Sequence, residues 1–277
     1  MRGRERQLQG LRGQSFDILV IGGGATGTGI ALDAASRGLS VALLERADFA
    51  SGTSSRSTKL IHGGVRYLEQ AVKGFDAGQL NLVRDALKER RVLLDIAPHL
   101  TRALPLLTPL YNAFEVPYYL TGLKIYDALA GRANLAPSRY LGRRKASERF
   151  PMLRSKGLRG GVLYYDGQFD DARMNVALAL TAAAEGAKVA NHVSVTGLLK
   201  SGGKLRGVSA RDEISGETFE AYAKVVVNAT GPFGDAIRHL DDPASPPMLS
   251  ASSGAHIVLD ARFSPPDTGL LIPKTED

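Results

Sequence analysis

A short apolar run entering a glycine cluster, an Ala-rich helical pattern behind it, and a second apolar run ending on an acidic residue predict an α/β fold built on a Rossmann-type dinucleotide-binding domain. The first run covers Phe16 to Ile21 and leads into Gly22-Gly23-Gly24-Ala25-Thr26-Gly27. The helical pattern spans Thr26 to Arg37, and after Gly38 the second run covers Val41 to Leu44 and closes on Glu45. Strand, glycine turn, helix and strand in that order make a β-α-β unit.

Further along, a helix is expected from about Gly78 to Ile96, with Leu80, Val83, Leu87 and Leu94 on one stripe, ending before Pro98. Residues 98 to 157 hold Pro98, Pro105, Pro109, Pro117, Pro137 and Pro151 among aromatic and basic residues, a composition that predicts an inserted cap of short elements. Asp170 or Asp171 suits the N-cap of an Ala-rich helix closing at Glu185 and Gly186. Val193–Leu199, Leu205–Ala210, Thr218–Ala221 and Val225–Val227 then read as strands of a meander, joined by Ser201-Gly202-Gly203-Lys204 and Ser215-Gly216 turns. The apolar run Leu270 to Ile272 reads as a strand of an unfinished domain, so the chain is expected to be truncated. The predicted division is a flexible basic tail over 1–15, a nucleotide domain over 16–71 and 158–235, and an incomplete cap or substrate domain over 72–157 and 236–277.

With no cysteine among 277 residues, disulfides, thiolate zinc sites and cysteine nucleophiles are excluded, and any redox role needs a cofactor. No metal-ligand set is read. The longest apolar stretches, such as Ala177 to Ala184, fall far short of the roughly 20 residues a spanning helix needs, and the first 15 residues lack an apolar signal core. The formal charge of +7 is uneven: Arg2, Arg4, Arg6 and Arg12 crowd the start, and Arg132 to Arg159 carries nine Arg and Lys against Glu148 alone. That central stretch is either a solvated face or a surface drawn to anionic headgroups or an anionic substrate. No nucleic-acid module accompanies it, so nucleic acid is not an expected partner.

The glycine cluster contains GxGxxG between a strand and a helix, the context in which that spacing has a mechanism. Gly22 permits the tight turn, Gly24 admits a pyrophosphate against the backbone, and Gly27 allows the helix to pack closely, while the helix N-terminus favours negative charge. Glu45 stands where an acidic side chain accepts hydrogen bonds from ribose hydroxyls. These features do not separate NAD from FAD. The hydroxyl- and glycine-rich segment Thr53-Ser54-Ser55-Arg56-Ser57-Thr58-Lys59-Leu60-Ile61-His62-Gly63-Gly64-Val65-Arg66-Tyr67-Leu68-Glu69 follows directly, and an NAD domain has no need of it. Lys59, His62 and Arg66 supply three donors suited to an anionic substrate or a reduced flavin.

Gly22 to Gly29 with Arg37-Gly38, Ser54 to Glu69, Ala97-Pro98-His99-Leu100, Asp170-Asp171-Ala172-Arg173, Asn228-Ala229-Thr230-Gly231-Pro232 and Gly254-Ala255-His256-Ile257 together resemble the quinone-linked, FAD-dependent glycerol-3-phosphate dehydrogenases. The blocks cover nearly the whole chain after residue 15, although Asn-Ala-Thr-Gly-Pro alone is shared with other D-amino-acid-oxidase-like flavoproteins. The resemblance implies a Rossmann-type FAD-binding domain of that kind with an interleaved cap. FAD would be held by Gly22, Gly24, Gly27, Glu45, Thr53, Ser54, Ser55, Lys59, His62, Gly63, Val193, Ala229, Thr230 and Gly231.

The same resemblance turns Arg66, Tyr67 and His256 toward substrate, with Arg66 on the phosphate. His256, in a segment that reads as β-rich, is assigned as the base that accepts the C2 hydroxyl proton while hydride leaves C2 for flavin N5. Ser253 departs from the family, which commonly carries lysine there, and the family's carboxy-terminal half is missing. The implied reaction is oxidation of sn-glycerol 3-phosphate to dihydroxyacetone phosphate with electrons passed to quinone, by an enzyme lying peripherally on the cytoplasmic face of the membrane. The oligomeric state is left open. The alternatives are an oxygen-using oxidase, an amino-acid oxidase on the same fold, and a fragment that at most binds FAD.

Overall fold

The computed structural model describes residues 2–65, 67, 68, 74 and 76–272. In chain order the elements are α1 (Arg2–Gln9), β1 (Ser15–Ile21), α2 (Ala25–Ser36), β2 (Val41–Leu44), β3 (Leu60–Ile61), α3 (Ala77–Ile96), β4 (Thr101–Leu110), α4 (Glu115–Ala130) and β5 (Arg139–Gly142). There follow α5 (Arg143–Arg149), β6 (Gly160–Phe169), α6 (Asp171–Ala184), β7 (Lys188–Ala190), β8 (Val193–Ser201), β9 (Lys204–Asp212), β10 (Thr218–Asn228), α7 (Gly234–Asp241) and β11 (Gly269–Leu270). The chain divides into two compact units, Met1–Thr58 with Asp171–Gly254, and Lys59–Asp170 with Ala255–Asp277.

The first unit is a six-stranded sheet in the order β7-β2-β1-β10-β9-β8. β7, β2, β1 and β10 run parallel, and β10, β9 and β8 form the antiparallel meander. Every residue of β2 is buried, as a parallel strand covered on both faces requires. α2 turns only small residues inward, Gly27, Thr28, Ala31, Ala34 and Ala35, so it lies close on the sheet. It ends at Gly38 (φ +81°), where the amides of Gly38 and Leu39 close back on the carbonyls of Ala35 and Ala34. The two runs expected as separate strands, 218–221 and 225–227, are one strand, because β10 pairs with β9 up to Tyr222 and with β1 from Tyr222 onward.

Residues 2–15 are not the flexible tail their arginines suggested. α1 and the turn behind it bury Leu8 and Leu11 in the core beside Phe16 and Leu19. Arg4 forks onto both oxygens of Asp212 at 2.7 and 3.1 Å, and the Val189 amide donates to Gln7 Oε1. Two leucines three apart outweigh the surrounding charge, and the Arg4 head is itself paired with the buried Asp212.

In the second unit β4 lies between β6 and β11, β3 follows β6, and β5 also pairs with β6. The unit boundaries differ from the predicted 71/72, 157/158 and 235/236. Leu60 and Ile61 pair with Gln168 and Gly167 of β6, which pairs with β4 from Thr101↔Phe169 to Leu110↔Gly160, and this ladder draws residues 59–71 and 158–170 into the second unit. Residues 236–254 belong to the first unit instead. The proline-rich stretch holds longer elements than expected. Pro105 and Pro109 sit inside the ten-residue β4, whose edge away from β6 is paired only at Leu106 and Leu107 among the described residues, leaving room for residues without an amide donor. α3 is capped by Asp76, which accepts from the amides of Gly78 and Gln79. No helix among the described residues is long and apolar enough to cross a membrane.

Candidate functional site

A cleft of about 800 Å³ opens in the first unit over the carboxyl ends of β1 and β2, where β10 also ends. That is where open parallel sheets place nucleotide ligands, and the size lies in the range of ligand sites. Its walls are the glycine turn, the end of β2, the 51–56 segment, the start of β8 and the loop after β10.

The glycine turn is shaped by close approach. At Gly22 (φ +107°) a Cβ would stand 2.6 Å from the Ala229 carbonyl oxygen, and at Gly27 a Cβ would stand 1.9 Å from the Gly22 carbonyl oxygen. Only hydrogen fits at either place. Gly23, which the spacing rule passes over, is equally constrained, with Glu45 Cβ and Phe49 Cδ1 each 2.7 Å from its would-be Cβ. α2 starts at Gly24 with no side chain of its own as cap; Ser54 Oγ takes that place by accepting from the Ala25 amide at 2.8 Å. With no acidic residue in its first turn, this helix end suits an anion.

Glu45 accepts from the Gly23 amide at 2.6 Å and the Ala47 amide at 2.8 Å, one on each oxygen. A carboxylate offers about four acceptor positions, so the head that braces the turn keeps capacity toward the cleft. Beyond β10, Asn228 Oδ1 accepts from the Thr230 amide and hydroxyl, and Asn228 Nδ2 donates to the Gly234 carbonyl, folding Ala229-Thr230-Gly231 over the strand end. Arg46 lies 4.3 Å above the Phe233 ring, and both line the cleft.

Of the residues expected to hold a cofactor, Gly22, Gly24, Glu45, Thr53, Ser54, Val193, Ala229, Thr230 and Gly231 line this cleft. Gly27 supports it from behind, and Ser55 shares the Thr53–Ser55 turn without being part of the wall. Lys59, His62, Gly63, Tyr67 and His256 belong to the second unit, and Arg66 lies outside the described residues. Lys59 holds a left-handed backbone (φ +58°) and its carbonyl receives the Phe169 amide. Tyr67 is half exposed. The stretch around His256 is not β: residues 251–260 have no regular structure, and Val258 is 96% exposed. An apolar run becomes a strand only where an edge accepts it, and none among the described residues does.

Beneath His62-Gly63-Gly64 lies a buried polar network that no local sequence pattern announces. The Gly63 amide donates to the Tyr126 hydroxyl at 2.7 Å, and that hydroxyl donates to Asp166 at 3.0 Å. Arg90 Nη1 pairs with Asp166 at 2.5 Å, both side chains being 1% exposed, while Nη2 reaches the Ala133 carbonyl. Burial first, then the neighbouring carboxylate, holds the Tyr126 phenol well above its ordinary pKa, so it serves as a permanent donor.

A family model described as FAD dependent oxidoreductase matches residues 17–276. The chain belongs to the FAD-dependent oxidoreductase family. Within this family it is 55% identical over 268 residues to a mitochondrial glycerol-3-phosphate dehydrogenase of Arabidopsis thaliana, covering 95% of this chain and 43% of the relative. It is 53% identical over 281 residues to the mitochondrial glycerol-3-phosphate dehydrogenase of Rattus norvegicus, covering 99% of this chain and 39% of the relative. The chain thus spans about two fifths of the length of the curated relatives it matches. Among solved structures it matches the glycerol-3-phosphate dehydrogenase of Bacillus halodurans complexed with FAD, at 36% identity and a TM-score of 0.66, over 86% of this chain and 39% of that one. For an FAD-dependent oxidoreductase the cleft fits its cofactor. At Gly22, Gly23 and Gly27 a Cβ would strike the protein's own atoms, so the turn keeps the tight form in which the N-terminus of α2 suits a pyrophosphate and Glu45 suits the ribose.

Proposed function

We propose that this chain is the FAD-binding part of an enzyme that oxidises sn-glycerol 3-phosphate to dihydroxyacetone phosphate and delivers the electrons to a quinone. The observation that carries the proposal is the glycine-walled cleft in a chain 36% identical to a glycerol-3-phosphate dehydrogenase complexed with FAD. Gly22, Gly24, Ser54, Glu45 and Thr230 would hold the dinucleotide, and the flavin, when bound, would supply a two-electron acceptor for the hydride leaving C2. His256 takes the hydroxyl proton, and Arg66 with Tyr67 binds the phosphate end. Per turnover two electrons and two protons leave the alcohol and end on the quinone as a quinol.

The site of action we propose is a membrane surface, the inner, cytoplasmic face of the cytoplasmic membrane; the names of the relatives place those proteins in mitochondria. Supporting this, the second unit carries the basic run from Arg132 to Arg159 together with exposed Phe114, Tyr118 and Met152, the charged and apolar mix that binds anionic headgroups.

The test is to load the purified chain with FAD and add sn-glycerol 3-phosphate without oxygen, following the visible absorbance of the oxidised flavin. Bleaching supports the proposal. A retained flavin that no concentration of this substrate bleaches would refute it for this chain. Reduction of a quinone analogue set against oxygen consumption then separates dehydrogenase from oxidase.

A further inference from the structure

Two buried polar side chains on α6 stand outside the cleft and yet hold both loops that wall it. Asp171 and Asn175 are four residues apart, hence on one face of the helix, and are 3% and 1% exposed. Asn175 Nδ2 donates to the Gly23 carbonyl at 2.8 Å, and Asn175 Oδ1 accepts from the Thr28 hydroxyl at 3.0 Å. Asp171 Oδ2 accepts from the Ser57 amide at 3.1 Å and the Ser57 hydroxyl at 2.8 Å, while Oδ1 accepts from the Ala172 amide. The loops are joined to each other by the Ala25 amide on Ser54 Oγ. One helical turn therefore closes a ring through Ser57, Ser54, Ala25, Gly23 and back to Asn175.

The setting makes these polar residues informative. The surface between α2 and α6 is otherwise small and apolar, with Ala31, Ala34 and Ala35 in the same core cluster as Ala182. Alanine packing alone holds two helices together but leaves their sliding and rotation loosely fixed. A buried amide satisfied on both ends favours one register, since a shift leaves the Asn175 amide without its partners, although the Gly23 carbonyl also takes the Ala50 amide.

We propose that Asp171 and Asn175 are positioning residues for cofactor binding: they fix the 22–27 and 53–57 loops in the binding geometry before the dinucleotide arrives. The ordering of the backbone donors is then complete in the free protein, and binding does not have to supply it. The inference rests on the reading that the cleft takes the dinucleotide part of FAD.

The test uses the full chain freed of flavin, with Asn175→Leu and the conservative Asp171→Asn as two separate variants. FAD affinity is read by quenching of flavin fluorescence, and amide hydrogen exchange is read in the flavin-free protein. Each variant is expected to weaken FAD binding at least about tenfold, with Asn175→Leu the larger loss, and to speed exchange at residues 22–28 and 53–57 while the β8–β10 meander keeps wild-type protection. Wild-type affinity in both variants would overturn the inference, and so would faster exchange spread evenly over the first unit, which is the mark of a merely structural role. A wild-type chain that takes up no FAD would overturn the cofactor reading and this inference together; normal uptake by both variants would overturn this inference alone.

Discussion

Replacing Arg90 by methionine should be among the most damaging single changes in the second unit, and the structure fixes both its size and its pH dependence. The substitution keeps an unbranched apolar stem but strips Asp166 of the guanidinium 2.5 Å away, in a place where both side chains are 1% exposed. Asp166 keeps the Tyr126 hydroxyl, one neutral donor against a full buried charge. Removing one partner of a buried pair costs about 3–5 kcal/mol, a large share of the roughly 5–15 kcal/mol that holds a domain folded. The sign with pH follows from burial, which already raises the pKa of Asp166 and is opposed chiefly by Arg90. Without Arg90 the folded-state pKa rises further above the unfolded value of about 3.9. A raised acid pKa contributes stability below the unfolded pKa and loses it as pH climbs through the folded one, so the deficit of Arg90→Met should be full at neutral pH and shrink toward pH 4. Urea unfolding followed by far-ultraviolet circular dichroism is the assay, the chain having no tryptophan. Adding Asp166→Leu should recover only part of the loss, because it removes the uncompensated charge but leaves the buried Tyr126 hydroxyl without its acceptor. A neutral-pH deficit below about 1 kcal/mol, the level of an exposed pair, would refute the reasoning.

Three further outcomes are expected. Gly27→Ala places a methyl 1.9 Å from the Gly22 carbonyl oxygen, so it should cost more than the roughly 1–3 kcal/mol of ordinary overpacking and purify without flavin; a yellow, normally stable protein would contradict this. Arg4→Met should lower the urea midpoint near neutrality and lose that effect in acid. Arg4 is the main cause that depresses the Asp212 pKa to about 2, and a depressed carboxylate contributes stability above the unfolded pKa that disappears as pH falls from about 4; parallel pH curves for the two proteins would show the pair to be idle. On the proposed function, His256→Gln should keep flavin but abolish its reduction by sn-glycerol 3-phosphate, and near-normal reduction would remove His256 as the base.

The β-α-β unit and its glycine turn are legible because each clue is local. GxGxxG, the small inward face of α2 and the four-residue apolar β2 before Glu45 all lie within 24 residues, where spacing fixes direction and backbone conformation. Gly23 escaped the spacing rule because its need comes from Phe49 and Glu45 approaching it, not from its own turn. Around His256 it is the local reading that fails: the strand its neighbours suggest has no described edge to join.

The sequence by itself determined the fold class, the nucleotide turn and the family, since these rest on hydrophobic period and glycine placement, which neighbouring residues encode together. Tertiary structure alone decided which polar groups are buried and paired. Arg90 meets Asp166 across 76 residues, Asn175 meets Gly23 across 152 and Arg4 meets Asp212 across 208. Nothing in the chain near any of these residues announces its partner. A charge or amide loses water only when the fold closes over it, and the group that compensates it is whichever one the topology has carried to that spot.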